Sequence, residues 1–396
     1  MSSFDEALSL YIAQQPPAKI WFLHLKGIDF TFPFFNYLLS LWIKISTSII
    51  WARIFSLIFG IITIYLTYKI GSFLFNKEIG LLGAFFVSCS EYFIWHSVEA
   101  RVYALFTVFV LLALFYFLKF IYNPSFKEKL FFILFTVLSI YAHFFGFFII
   151  LIQFLIFIFN KKKIKITFEE LYLCLSIVVI SIVPLIFYYF NQYHNFYKLG
   201  NYVGCESCTC FSFLIGSLES YSNHKYFLWL YIIILGLLVF IKFKELKSSD
   251  FLKNIRIIFN KLYSIFGIKI SLIILLISLL TTCILSWGKI KIYGFKYVIP
   301  FFVFFYLLLS KTIVSFKGRI KNFIIILLIT ALSLNGLRFA IYCSFLKPRI
   351  KLDKISKIIK NNNYKNSLIV SNDIYNSMAI FASLNNPIKI ITNKKY

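Results

Sequence analysis

The chain has 396 residues, which would allow two soluble domains, but 60% of them are hydrophobic, 51 are Phe and only 14% are charged, which excludes that reading. Mean hydropathy is +0.84, and successive apolar runs approach the ~20 helical residues that cross a bilayer, so a polytopic helical membrane protein is expected. A net charge of +26 would suggest nucleic acid only if its placement were ignored; the lysines gather in alternate connections, and no nucleic-acid partner is expected.

Candidate spans fall near 51–75, 79–95, 101–121, 130–143, 144–160, 171–190, 224–243, 269–288, 298–314 and 322–340, about ten in all. Lys77, Lys127, Lys129, the run 161–163, and the stretches 244–261 and 317–321 occupy alternate connections. That is the positive-inside pattern, and it puts those loops in the cytoplasm. The opposite connections carry segment 95–101, the turn at His143, the loop 191–223 and the loop 289–297. Residues 1–345 thus read as one all-α membrane domain with an external interfacial segment at 1–50, and residues 346–396 as a short α/β extracytoplasmic tail.

The sequence opens without a signal peptide or a first span, running straight into Phe4–Ile12. Phe4, Leu8 and Tyr11, flanked by Ala7 and Ile12, form one apolar stripe at helical spacing, which suits a helix lying in the membrane interface. Ser3 followed by Glu6 reads as a capping box, and Asp5 suits the positive helix end. Pro33 reads as a helix-start proline. Arg53 opens the first candidate span and faces a lipid phosphate, a substrate phosphate, or snorkels at the interface.

Trp95–Leu105 then places His96, Glu99, Arg101 and Tyr103 between the apolar stretches Ile79–Ile94 and Leu105–Phe120. Ionisable groups at membrane depth cost several kcal/mol unless paired or wetted, which makes them candidate site residues. The alternative is that Glu99 and Arg101 sit at the water interface and mark a helix junction. His143 in Tyr141–Gly146 is either a packed, hydrogen-bonded turn residue or part of the site. Cys205, Cys208 and Cys210, with His194 and His224 nearby, lack the second CxxC pair of a zinc site, which favours a local disulfide or free thiols. Cys89, Cys174 and Cys283 read as small apolar filler. Lys296 precedes a helix-entry proline, Pro300. Beyond Ala340, Leu352–Lys360 reads as an amphipathic helix, and Ser367–Ser371 and Ile388–Thr392 as strands. Ten Lys/Arg between 347 and 395 break the charge rule, as long exported segments often do.

Ser97–Leu105 resembles the "SQEARMYAL" signature of family 39 glycosyltransferases, polytopic enzymes of GT-C fold that include protein O-mannosyltransferases and the aminoarabinose transferases of lipid A. Other segments follow the family in order. Asp5-Glu6-Ala7 is similar to its "DEA" motif, and residues 29–42 resemble "D-x-H-P-P-L-Y-Y-L-L-L-x-L-W", with Thr31 in place of His and Phe32 in place of the first Pro. The role tied to that His is therefore not carried over. Residues 52–60 resemble "LRLPSALFG", Tyr141–Gly146 "YTHYFG", and Tyr297–Pro300 "RYLLP", with Lys296 keeping the charge but not the bidentate fork of the usual Arg. Glu91 stands where the family commonly has Pro. In the family a transmembrane helix precedes the first motif, so the resemblance implies a chain lacking its first helix.

What the resemblance implies for function is transfer of a sugar, with inversion, from a polyprenyl-phosphate donor to a lipid, glycan or protein acceptor. The reaction would occur on the extracytoplasmic face of a bacterial plasma membrane. Asp5 would be the base taking the acceptor proton, with Glu6 supporting it; Arg101 and Lys296 would bind phosphate. Glu99 would orient Arg101 or contact the acceptor, Tyr103 and Tyr293 would stack on sugars, and His143 would contact substrate. The family requires no cofactor and admits a divalent cation; the partners are donor, acceptor and membrane lipids. No DxD motif or Gly-rich phosphate loop points to a nucleotide sugar. A lipid-linked glycan polymerase or flippase would show Arg/Glu pairs along the midplane of several helices, whereas these charges gather at helix ends. An inactive, truncated family member is the other alternative.

Overall fold

The computed structural model describes residues 4–29, 31–161, 164–203, 233, 266–287, 297–316, 318–341, 369–371 and 390–392. Three short helices come first: α1 (Phe4–Ala13), α2 (Pro17–Leu25) and α3 (Phe34–Trp42). They lead into α4 (Ile49–Leu74), α5 (Lys77–Cys89), α6 (Glu91–Ser97), α7 (Tyr103–Tyr122) and α8 (Phe126–Ala142). A 3-10 turn (Phe144–Phe147), α9 (Phe148–Asn160) and α10 (Phe168–Val203) follow, then α11 (Phe266–Trp287), α12 (Ile299–Val314) and α13 (Gly318–Ile341). Strands β1 (Ile369–Ser371) and β2 (Ile390–Thr392) pair in parallel, Ile369 opposite Ile390, within the two stretches expected to be strands.

Four helices among the described residues are long and apolar enough to span a membrane: Ile49–Leu74, Tyr103–Tyr122, Phe168–Asn191 and Gly318–Phe339. A fifth arises if α5 and α6, bent by 68° at Ser90, are one broken span. The expected division of 130–160 at His143 is present, because α8 ends at Ala142 and the 3-10 turn begins at Phe144. The expected spans at 269–288 and 298–314 correspond to α11 and α12, and Pro300 lies at the start of α12. The candidate span 224–243, apart from residue 233, the cysteine cluster 205–210 and the amphipathic stretch 352–360 lie outside the described residues.

α7 is apolar all round because it has no outward face. Of its apolar stretch 78% is buried, against 17% in α13, and Phe106, Leu111, Leu114, Phe117 and Leu118 are fully enclosed. A helix hydrophobic on every side is a core helix, and in lipid its neighbours are held by close packing more than by a hydrophobic force. Glycine supplies part of that closeness: a Cβ on Gly71 of α4 would fall 2.7 Å from Gly80 Cα of α5 and 2.6 Å from Leu307 of α12.

The bundle has two chemically different ends. At one, Asn76 and Ser125 cap α5 and α8, Thr167 and Glu170 form a reciprocal capping box on α10, and Lys321 pairs with Glu78. Lys165 donates to Asn123 and Lys269 to the Phe159 carbonyl at this same end. The other end carries the start of α4, the loop 98–102, His143 and Tyr297, and here α1–α3 sit on the bundle.

Part of the apolar stripe of α1 is covered by protein. Leu8 and Ile12 are buried against Ile20 and Leu23 of α2, and Tyr37 of α3 packs beside them. A stripe at helical spacing seeks any apolar partner, and here protein supplies it. The exposed apolar face belongs to α2 instead, with Trp21, Phe22 and Leu25, and Lys26 lies over the Phe22 ring. Pro33 precedes α3 as expected. At the other end of α3, Trp42 and Trp51 stack at 4.7 Å, and each indole N–H donates to the other's carbonyl.

Candidate functional site

The loop between α6 and α7 is fixed by its backbone. Gly60 on α4 lets Ser97 approach so closely that a Cβ there would lie 2.5 Å from Ser97 Oγ. Ser97 Oγ donates to the Phe93 carbonyl, and Ser56 on α4 donates to the Arg101 carbonyl. From the other side, the Ala100 N–H donates to Glu6 Oε1 at 3.0 Å.

Glu6 is therefore more than a helix-end acid. Its carboxylate also accepts from Arg53 Nε and Nη2, both at 2.8 Å, a bidentate fork closing α1 onto α4. Glu6 is 1% exposed and Arg53 30%. This pairing is charge-assisted at both oxygens; the expected capping box with Ser3 falls on a residue outside the described ones. Ser3 and the side chain of Asp5 lie outside the described residues, as do Tyr293 and Lys296; the backbone of Asp5 is on α1, immediately before Glu6.

Arg101 is held by a carboxylate too. Its Nη1 donates to Asp29 Oδ2 at 3.0 Å and to Ser9 Oγ at 2.8 Å. Asp29, to which the sequence reading gave no role, thus holds Arg101. Asp29 Oδ1 accepts from the Thr31 N–H and hydroxyl, so the residue standing where the family has His turns the Asp29 carboxylate toward Arg101. Burial pushes the Asp29 carboxyl up, but Arg101, His24 and the two Thr31 donors hold it below the usual carboxylate range.

His24 completes this layer. With Nδ1–H donating to the Thr31 carbonyl at 2.8 Å, Nε2 accepts from the Asn36 amide at 2.8 Å, which defines a neutral ring. Burial lowers its pKa, and Asp29 opposes that only in part. Asp29 and His24 titrate with one sign. Each folded pKa lies below its unfolded value, so each contributes stability at higher pH and loses it as pH falls. Docking of α2–α3 should weaken first below about pH 6.5, where an unfolded His gains its proton, and again below about pH 4 through Asp29. Hydrogen exchange of α2 against pH would show both steps, and His24→Asn should remove only the first.

On the other side of Arg101 lies an aromatic wall. The Arg101 guanidinium sits 5.9 Å from the Tyr103 ring, and His96 lies edge-on to that ring at 5.2 Å. Tyr297 is 6.3 Å from Tyr103 and 4.7 Å from His143. His143 Nδ1 accepts from the Phe145 N–H, so His143 caps the 3-10 turn and lines the wall at once. Glu99 Oε2 lies 3.3 Å from His96 Nδ1. Glu91 also gains an account: at the break between α5 and α6 it accepts from Asn335 of α13 at 2.6 Å.

The structure thus brings Glu6, Glu99, Arg101, Tyr103 and His143 to one end of the bundle. The sequence reading missed Ser9, His24 and Asn36, and left Asp29 without a role. The available signal was thin: one His and one further Asp, beyond Asp5, in an external segment that had to face something polar.

Residues 31–188 match the family model described as dolichyl-phosphate-mannose-protein mannosyltransferase. No curated protein matches the chain. Among solved structures the fold is similar to the crystal structure of ArnT from Cupriavidus metallidurans in the apo state, with a TM-score of 0.58 at 9% identity, covering 98% of this chain and 81% of that one.

Proposed function

Starting from a family 39-like membrane protein of GT-C fold, we propose that the chain moves a sugar from a polyprenyl-phosphate donor to a hydroxyl of a lipid, glycan or protein acceptor, with inversion. The observation that supports this best is the cationic end of the site. Arg101 lies beneath an amphipathic helical cover, fixed by Asp29 and Ser9 and flanked by the Tyr103 ring, where a phosphate entering along the bundle would meet it. Preorganised cations stabilise charge that develops on a departing phosphate.

In this reading Asp5 takes the acceptor proton, and Glu6 sets its position by tying α1 to α4 and to the loop 98–102. Arg101 and Lys296 bind the phosphate, while Tyr103, His143 and Tyr293 contact substrate and Glu99 faces the same space. The reaction needs no cofactor, and a divalent cation bridging the phosphate is compatible with it. The ion pairs described gather at the two ends of the bundle, which favours a membrane-surface enzyme over a flippase-like midplane path.

The site end faces the exterior of a bacterial plasma membrane, because the lysine-rich connections lie at the opposite end. Single cysteines decide this in intact cells: Val98→Cys should react with an impermeant maleimide and Lys161→Cys should not. Labelling of Lys161→Cys from outside would reverse the topology. Activity is tested with a labelled sugar on polyprenyl phosphate, followed into lipid and protein fractions of membranes with and without the chain. Equal incorporation in both would overturn the assignment.

A further inference from the structure

We propose that α2 is seated in the lipid leaflet at the site end of the bundle, held there by anionic headgroups, and that this seat positions Asp29 and through it Arg101. The outward stripe of α2 has full helical spacing: Ala18, Trp21, Phe22 and Leu25 are exposed, whereas Ile20, Leu23 and His24 turn inward. Lys19 and Lys26 share one edge of that stripe, and Lys26 holds its ammonium over the Phe22 ring at 4.5 Å. An apolar face bordered by cations is the pattern of a helix lying in an interface, its lysines reaching up to headgroup phosphates.

Two observations name lipid as the occupant. The first is continuity. Trp21 meets Phe32 and Tyr188 of α10, each at 5.8 Å, and beside Tyr188 the residues Phe187 and Phe190 are exposed on a helix long and apolar enough to span the membrane. The apolar surface of α10 thus continues onto α2. The second is charge. Between Gln14 and Ile50 the sole acid is Asp29, which is buried, while Lys19, Lys26 and Lys44 are exposed. A surface whose exposed charges are all cations suits an anionic leaflet, which attracts each lysine near it.

The way α2 ends ties the seat to the site. The Gly27 N–H donates to the His24 carbonyl and the Ile28 N–H to the Leu23 carbonyl, with Gly27 at φ 70°, a left-handed cap that fixes the direction in which the chain leaves the helix. Asp29 is the next residue, and its Oδ2 accepts from Arg101. On the inward side, His24 bonds the Thr31 carbonyl, and the Thr31 N–H and hydroxyl donate to Asp29 Oδ1. A tilt of α2 is passed to Asp29 by backbone and side chains alike. The seat does not depend on sugar transfer, and its readouts are structural.

The full chain is placed in nanodiscs of phosphatidylcholine alone or of phosphatidylcholine mixed with phosphatidylglycerol. Trp21 emission, taken as the difference between wild type and Trp21→Phe, should be quenched by lipids spin-labelled near the headgroup and spared by aqueous iodide. Amide exchange of α2 and of residues 98–102 should be slower in the anionic discs by about tenfold, as two lysines at a charged surface imply. Lys19→Gln with Lys26→Gln, both at exposed positions, should remove that difference without lowering thermal stability. In Asp29→Asn, α2 should still respond to the lipid while residues 98–102 no longer follow it. Quenching of Trp21 by iodide and not by lipid would overturn the seat. Equal exchange in the two discs would overturn the role of anionic lipid, and a wild-type response of α2 that residues 98–102 ignore would overturn the link to Arg101. The exchange comparison uses wild type alone, so it decides the matter if a variant fails to fold.

Discussion

Asp5→Asn should lower turnover by about 10²–10⁴-fold, or roughly 3–5 kcal/mol of barrier, with no comparable loss of folded protein. Asp5 lies in the first turn of α1, where loss of its charge costs only about 0.3–1 kcal/mol of helix-dipole interaction, so α1 keeps its start; what is lost is the carboxylate that would take the acceptor proton. Glu6→Gln is the informative companion. It removes the forked carboxylate from Arg53 and weakens the tie to Ala100, so its cost should appear as lost stability. Breaking a buried pair typically costs about 3–5 kcal/mol, and the 30% exposure of Arg53 reduces that to about half or less. Turnover per folded molecule, measured in membranes with matched amounts of protein, separates the two acids. Near-normal turnover by Asp5→Asn would leave it as a first-turn acid of α1 and nothing more.

Arg101→Ala should nearly abolish donor use, and Arg101→Lys should restore only part, since a point charge replaces a planar fork. The alanine variant also strands a buried carboxylate, so a loss of activity alone would not show what Arg101 does. Asp29→Asn resolves this. In the double variant Arg101→Ala with Asp29→Asn the stranded charge is gone, and thermal stability should recover most of the way toward wild type. Donor use should not recover with it. Recovery of both would make Arg101 a latch for α1–α3, with no role at the phosphate.

How much of this could be read from residues alone depended on the range of the interaction. The turn at His143, the helix entries at Pro33 and Pro300, and the strands at 369–371 and 390–392 follow from local backbone preferences, and all were legible. The motif around Arg101 was legible as charge within apolar sequence, and its surroundings were not. Asp29 lies 72 residues from Arg101, and Glu6 47 from Arg53 and 94 from Ala100. No periodicity encodes which distant carboxylate meets which arginine. The α1 stripe was legible as an apolar face, but spacing says nothing of which neighbour covers it, and Leu8 and Ile12 meet Ile20 and Leu23 of α2. Glu91 had no rationale until α13 brought Asn335 to it across 244 residues.

Those separations also set an order of assembly. When α1, α2 and α3 have been synthesised, Arg53 is the first of their partners to follow, and Ala100 and Arg101 come only after α4, α5 and α6. Glu6 can meet Arg53 as soon as α4 is made, whereas Asp29 stays without Arg101 until α6 is complete and α7 begins. Seating of this cover is the act that closes the nascent site, and it cannot happen while the bundle beneath it is incomplete. A quality-control protease that cuts between α2 and α3 would thus distinguish finished molecules from unfinished ones by a single accessible bond.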